Sequence, residues 1–295
     1  MIRTLIRGAA LAAALGLSAC DLGVQNPNQP ETERVLASPT DIESLLGNYY
    51  KRWHEGLYRT TNNMWGMAAV QSFENYSSLS NNCMGQRVGI PRAGNDNTIG
   101  NVCESENKRV YFVESEVARV ASTILTRMDA PGFTLGSPAQ DARARAFAEF
   151  LRGVSLGYLA LFYDSAAVIS VGMDAVDAGE LVGYKEVMDS ALAALEKSIG
   201  HATTTAAGSG GFPLPSTWIP STTSFTSAEF VRLVRSYRAR LAANVARTPE
   251  ERIAVPWNAV IADAKAGITA DHDNITNTTT GPFASWVNQW YSYGT

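Results

Sequence analysis

Clustered positive charge, paired metal ligands and a long apolar run are all missing from this 295-residue chain. Its 24 Lys and Arg stand against 28 Asp and Glu, with a net charge of −4 and no basic block. Phosphate backbones are bound by clustered Lys and Arg, so nucleic acid is not expected as a partner. Beyond the N-terminus no apolar stretch approaches the roughly 18 residues of a helical membrane span. Histidine is scarce, and His54, His201 and His272 lie far apart in no triad or metal spacing. There is no P-loop and no dinucleotide-binding glycine run, so no cofactor is expected. Cysteine is as rare as histidine: Cys20, Cys83 and Cys103 are the full set.

What is present begins at the N-terminus. Arg3 and Arg7 precede a short run of apolar and small residues from Ala9 to Leu17, followed by Ser18-Ala19-Cys20. The run is too short to cross ~30 Å of hydrocarbon, and the order is that of a secretory signal peptide. Leu17-Ser18-Ala19-Cys20 also resembles the bacterial lipobox, in which the signal is cut before the cysteine and the thiol is acylated; an ordinary signal peptide is the alternative. The expected organisation is a lipoprotein signal over 1–19 and a lipidated tether over 20–37 starting at Cys20. A folded domain over 38–295 follows, large enough for a substantial core. Asn26-Pro27-Asn28-Gln29-Pro30 marks the tether as extended, because proline lacks a donor and restricts the residue before it.

An exported chain folds in an oxidising compartment, where Cys83 and Cys103 are expected to pair; two free thiols are the alternative. Closing that Asn- and Gly-rich loop would be worth about 3 kcal/mol in the chain-entropy account.

The remaining pattern is helical. Ser38-Pro39 reads as an N-cap and first helical residue. Ile42, Leu45, Leu46, Tyr49, Tyr50, Trp53 and Leu57 follow at helical spacing. A second helix is expected within Thr61–Phe73, and a third carries Val110, Val113, Val117, Ala121, Ile124 and Met128 up to Pro131-Gly132. The next runs from Pro138 to Tyr163 with Gly153 and Gly157 four apart, which predicts close approach of a neighbouring helix, since glycine costs about 1 kcal/mol in a helix interior. Helices are expected over Tyr184–Ile199, Ser227–Arg247 and Pro256–Ala266, the last capped by Gly267. Thr248-Pro249-Glu250-Glu251 reads as a capping box. Residues 201–226, rich in Thr, Ser, Gly and Pro, read as a long surface loop, and Arg232, Arg235 and Arg238 as a solvated face. The predicted class is all-α: degenerate tetratricopeptide-like helix pairs with long loops, and no strict 34-residue repeat.

Four segments together resemble the SusD/RagB family of outer-membrane nutrient-uptake lipoproteins. They are the lipobox with Asp21 to Asn28, the opening Ser38-Pro39-Thr40-Asp41-Ile42-Glu43-Ser44-Leu45-Leu46, and Ala146 to Gly153 running on to Asp164 with Tyr184-Lys185-Glu186-Val187-Met188. The last is Ser236-Tyr237-Arg238-Ala239-Arg240 ahead of Trp257 to Ala264. The resemblance covers most of 17–270, and the order and spacing carry it rather than any one motif. It implies an α-helical, degenerate tetratricopeptide-like fold on the outer membrane, anchored by lipid. It implies capture of an oligosaccharide or similar nutrient for a SusC-like TonB-dependent transporter. Members of the family are longer, so the resemblance predicts that this chain lacks a C-terminal part of the fold.

Gly153-Val154-Ser155-Leu156-Gly157 matches a nucleophile elbow, but that motif needs a strand and a sharp turn, whereas its surroundings read as helix. Asp271-His272-Asp273-Asn274 offers oxygen ligands without a full calcium-loop pattern and reads as a solvated loop. No enzyme is expected. A saccharide binder would use exposed rings as platforms, with amides and acids bonding hydroxyls. Trp65, Phe73, Asn75, Tyr76 and Trp286 are the candidates, with Gln71 and Glu74 beside the first group. The competing class is a tetratricopeptide-like assembly lipoprotein that binds protein segments in a helical groove.

Overall fold

The computed structural model describes residues 32–58, 64–77, 83–91, 94–174, 177–221 and 225–270. The described residues fall into two units, one ending at Ser38 and one starting at Pro39. In the first, Thr32–Ala37 forms a short helix, α1. This corrects the extended tether over its last residues: the restriction imposed by Pro30 acts on the residue before it, and Thr-Glu-Arg-Val-Leu-Ala behind it are free to coil. Cys20 and Asn26 to Pro30 lie outside the described residues.

The second unit is built of helices. They are α2 (Pro39–Tyr58), α3 (Met64–Gln71), α4 (Met84–Arg87), α5 (Glu104–Met128), α6 (Pro138–Phe162), α7 (Tyr184–Ala202), α8 (Thr205–Gly208), α9 (Ser227–Asn244), α10 (Pro249–Ala254) and α11 (Trp257–Lys265). The one sheet among the described residues is a small antiparallel pair in the α6–α7 connection, β1 (Ser165–Ala167) with β2 (Leu181–Gly183), Ser165 opposite Gly183.

α6 is the axis. It opens on Ser137, whose hydroxyl accepts from the Gln140 N–H at 3.2 Å, with Pro138 at the first position. From Ala142 onward it is buried on nearly every side, including Phe147, Phe150, Leu151, Val154 and Tyr158. A helix buried on nearly every side belongs in the centre, and α2, α5, α7 and α9 pack around it. The two glycines serve different neighbours. A Cβ on Gly153 would lie 2.7 Å from Leu195 Cδ2 of α7, while one on Gly157 would collide with Leu241 of α9.

Three expectations need correction. The 201–226 segment is not a surface loop throughout. Its first two residues finish α7, α8 follows, and Leu214, Trp218, Ile219 and Phe225 are buried. The Trp218 ring stands 4.9 Å from Phe147 between centroids, and the Arg143 guanidinium lies 5.0 Å over it. α2 makes room with Gly47, where a Cβ would come within 2.9 Å of the Thr217 carbonyl oxygen. Polar and turn-forming neighbours hide these large apolar residues from any periodic pattern. Second, Arg235 and Arg238 do not form a solvated face with exposed Arg232: both donate to buried Asp263 of α11, Arg235 Nη1 at 2.8 Å and Arg238 Nε at 2.5 Å. A helical stripe shows only a helix's own core face, and α11 docks on another. Third, the capping box at Thr248 is half formed. Thr248 Oγ1 accepts from the Glu251 N–H at 3.2 Å, but Glu251 turns to the Arg247 N–H at 2.7 Å. The box at α9 is complete, between Thr226 and Glu229.

Candidate functional site

The site is assembled where α4, the 94–101 loop and the first turns of α5 meet the end of α6. Cys83, just before α4, is joined to Cys103, just before α5, with their Cα atoms 5.7 Å apart. The loop between them is folded by Asp96, whose carboxylate accepts from the Thr98 N–H at 2.9 Å, Thr98 Oγ1 at 2.6 Å and Asn101 Nδ2 at 2.8 Å. These donors hold Asp96 below the usual carboxylate range. Asn107 pins the loop to α5: its amide donates to the Asp96 carbonyl at 2.9 Å and accepts from Arg87 Nη2 at 2.7 Å. Glu104 accepts from the Gly100 N–H at 2.9 Å and from Lys108 at 2.6 Å.

Tyr163 closes the site from α6. Its hydroxyl donates to the Asn107 carbonyl at 2.7 Å and accepts from the Tyr111 N–H at 3.1 Å. It thus sits between two groups that an α-helix ordinarily bonds to each other. Burial pushes the phenol's pKa up.

These elements enclose an open cavity of about 540 Å³. Phe112, 62% exposed, Tyr111 and Ile99 give it apolar surface; Asn97, Asn107 and Ser165 offer neutral hydrogen-bonding groups; Glu104, Lys108 and Asp164 supply charge. Lys108 lies 5.9 Å over the Phe112 ring. A smaller nook of about 30 Å³ adjoins it through shared Asn97, Asn107 and Tyr163, and is completed by Met67, Gln71, Arg87, Asn95 and Phe162. On another part of the unit an apolar groove of about 310 Å³ runs between α7, α9 and α10, floored by Met188, Leu192, Val245 and Val255.

The sequence-expected ligand residues fall elsewhere or outside view. Trp286 lies outside the described residues, as does the Asp271–Asp273 cation candidate. Trp65 lies in α3, its side chain outside the described set. Phe73 and Tyr76 are 63% and 77% exposed beyond the end of α3, and the Asn75 N–H donates to the Ala69 carbonyl at 3.0 Å. Phe73 holds a positive φ of 65°, unusual for a bulky residue. None of these three lines the cavities above; Gln71, their neighbour, does. Phe112 was missed because it stands off the apolar stripe of α5, which is itself the signal: a large ring on a helix's polar face.

Ser155 sits in the interior of α6, fully buried, with helix on both sides rather than a strand and turn. Among the described residues no three His, Cys, Asp or Glu gather as a metal group, and no helix is long and apolar enough to cross a membrane. No family model, curated protein or solved structure matches this chain.

Proposed function

We propose that this chain is a lipid-anchored capture protein of the outer membrane, acylated at Cys20. It binds an oligosaccharide or similar polar nutrient and hands it to a SusC-like TonB-dependent transporter without bond chemistry. We read α6 with α7, and α9 with α11, as degenerate tetratricopeptide-like pairs. The observation that carries the reading is the Phe112 cavity: an exposed ring beside amides, a hydroxyl and opposed charges, the combination that seats a sugar's apolar face and bonds its hydroxyls. The lipobox-like order ending at Cys20 supports the location.

The test is a glycan screen on the purified chain with Phe112→Ala beside it. Saccharide binding weakened about tenfold by the substitution, roughly 1.4 kcal/mol, is the expected result. Binding indifferent to Phe112, or none, counts against the reading. Detergent extracts supply the partner arm, where a co-purifying TonB-dependent barrel is expected and its consistent absence removes that part of the proposal.

The α7–α9–α10 groove favours the second reading, an assembly lipoprotein that takes an apolar peptide between Met188 and Val255, with Lys185, Asp189 and Glu251 at the rim.

A further inference from the structure

We infer that one exposed face of α11 is the docking site of the chain's own segment 282–291, which lies outside the described residues. The inference stands apart from the saccharide reading. α11 turns Val260 and Asp263 to its neighbours: Val260 joins a small apolar cluster with Ala239, Ala246 and Val255, and Asp263 takes Arg235 and Arg238. A second apolar face is left open. Trp257, Ile261 and Ala264 recur at i, i+4 and i+7, the spacing of one helix face, and all three are exposed, Trp257 by 39% and Ile261 by 48%. Ile268 follows four residues later, 38% exposed, its N–H donating to Ser236 Oγ of α9 at 2.9 Å. The Trp257 indole N–H is used within the chain, donating to the Arg252 carbonyl at 3.0 Å, so the face offers mainly carbon. Single exposed apolar residues are ordinary, but a row of them along one helix marks a contact surface.

The sequence supplies a matching row. Phe283, Trp286, Val287 and Trp290 recur at i, i+3, i+4 and i+7, with Ser285, Asn288, Gln289 and Ser292 at the opposite positions of the same period. Pro282 suits the first turn of such a helix. The eleven residues 271–281 between the two rows are mostly polar. Extended, they reach roughly 36–40 Å at ~3.3–3.6 Å per residue. The row from Trp257 to Ile268 is about 16 Å long at ~1.5 Å per residue, so the segment can turn back and lie along all of it. A tether this short holds the segment at an effective concentration on the order of millimolar, which favours it over a second copy of the chain at micromolar concentration. Trp286 and Trp290 then serve packing rather than a sugar platform.

The test is hydrogen exchange on the full-length chain. In Trp286→Ser/Trp290→Ser, peptides over 257–268 are expected to exchange about tenfold faster than in the wild type, with α6 unchanged. Ile261→Asp is expected to do the same to peptides over 283–291. Should the double variant loosen α6, Ile261→Asp decides alone. Unchanged exchange in both places overturns the inference. So does faster exchange at 184–192 and 242–256 instead, which would put the segment in the α7–α9–α10 groove. Wild-type protection of 257–268 that fades on tenfold dilution assigns the face to a second copy, and overturns it too.

Discussion

Glu114 shows how far one residue can depart from what its type suggests. It lies on α5, fully buried, and faces Gly56 of α2: a Cβ there would come within 2.9 Å of Glu114 Oε1. Burial holds its pKa well above 4.5, and the Ser155 hydroxyl opposes this only in part. The folded chain therefore keeps Glu114 protonated while the unfolded chain ionises it above about pH 4.5. A group whose folded pKa is raised binds more protons folded than unfolded, so its contribution to stability declines as pH rises past the unfolded value. Glu114→Gln keeps the shape and removes the proton. In urea titrations across mildly acidic to mildly alkaline pH, the variant is expected to gain on the wild type as pH rises; a gap that is flat with pH contradicts a neutral buried acid. The sequence could not mark this residue, since a Glu inside a helix reads as surface. Arg87 misleads in the same way, as an isolated charge in a Gly-rich stretch that proves to be buried.

Helices were legible wherever an apolar stripe ran long: α6, α7 and α9 end within a few residues of where their stripes placed them, and Ser38-Pro39 and Pro131-Gly132 mark the start of α2 and the end of α5. Close approach was legible at Gly153 and Gly157, where glycine in an otherwise strong helix signals a neighbour's approach. Which neighbour was not, because that depends on the whole arrangement. Magnitudes separate the glycines. At Gly157 an added methyl meets Leu241 of α9 from inside the core, and overpacking costs about 1–3 kcal/mol. At Gly200, exposed in α7, nothing lies within 4 Å, so only the helix-propensity gain of up to about 1 kcal/mol remains. Gly157→Ala is therefore expected to lower the urea midpoint and Gly200→Ala to raise it; equal shifts of the same sign would contradict the close α6–α9 contact. The ion pairs of Arg235 and Arg238 with Asp263 between α9 and α11 were illegible, because three charges at unrelated spacings carry no period. Trp218 was hidden likewise, its segment read by its Ser, Thr, Gly and Pro content rather than by the large residues within it.

At the scale of the molecule, helical class was legible, and the place of the candidate cavity was not. Rings beside amides and acids were the combination sought, and the Phe112 cavity presents it from residues the sequence did not mark. The residues that assemble it come from 67–112 and 162–165, brought together by the Cys83–Cys103 bond, the Asp96 turn and the Tyr163 hydroxyl wedged into α5. No local pattern joins segments that far apart. Two concavities stand out among the described residues, the polar and aromatic one around Phe112 and the apolar one between α7, α9 and α10, and they imply different partners. Hydrogen exchange decides between them in one experiment. With the best saccharide from the screen bound at saturation, slowed exchange confined to peptides covering 94–112 and 162–165 is the predicted result. Protection that instead maps to 184–192 and 242–256, leaving the start of α5 unchanged, would contradict the assignment of the Phe112 cavity as the capture site.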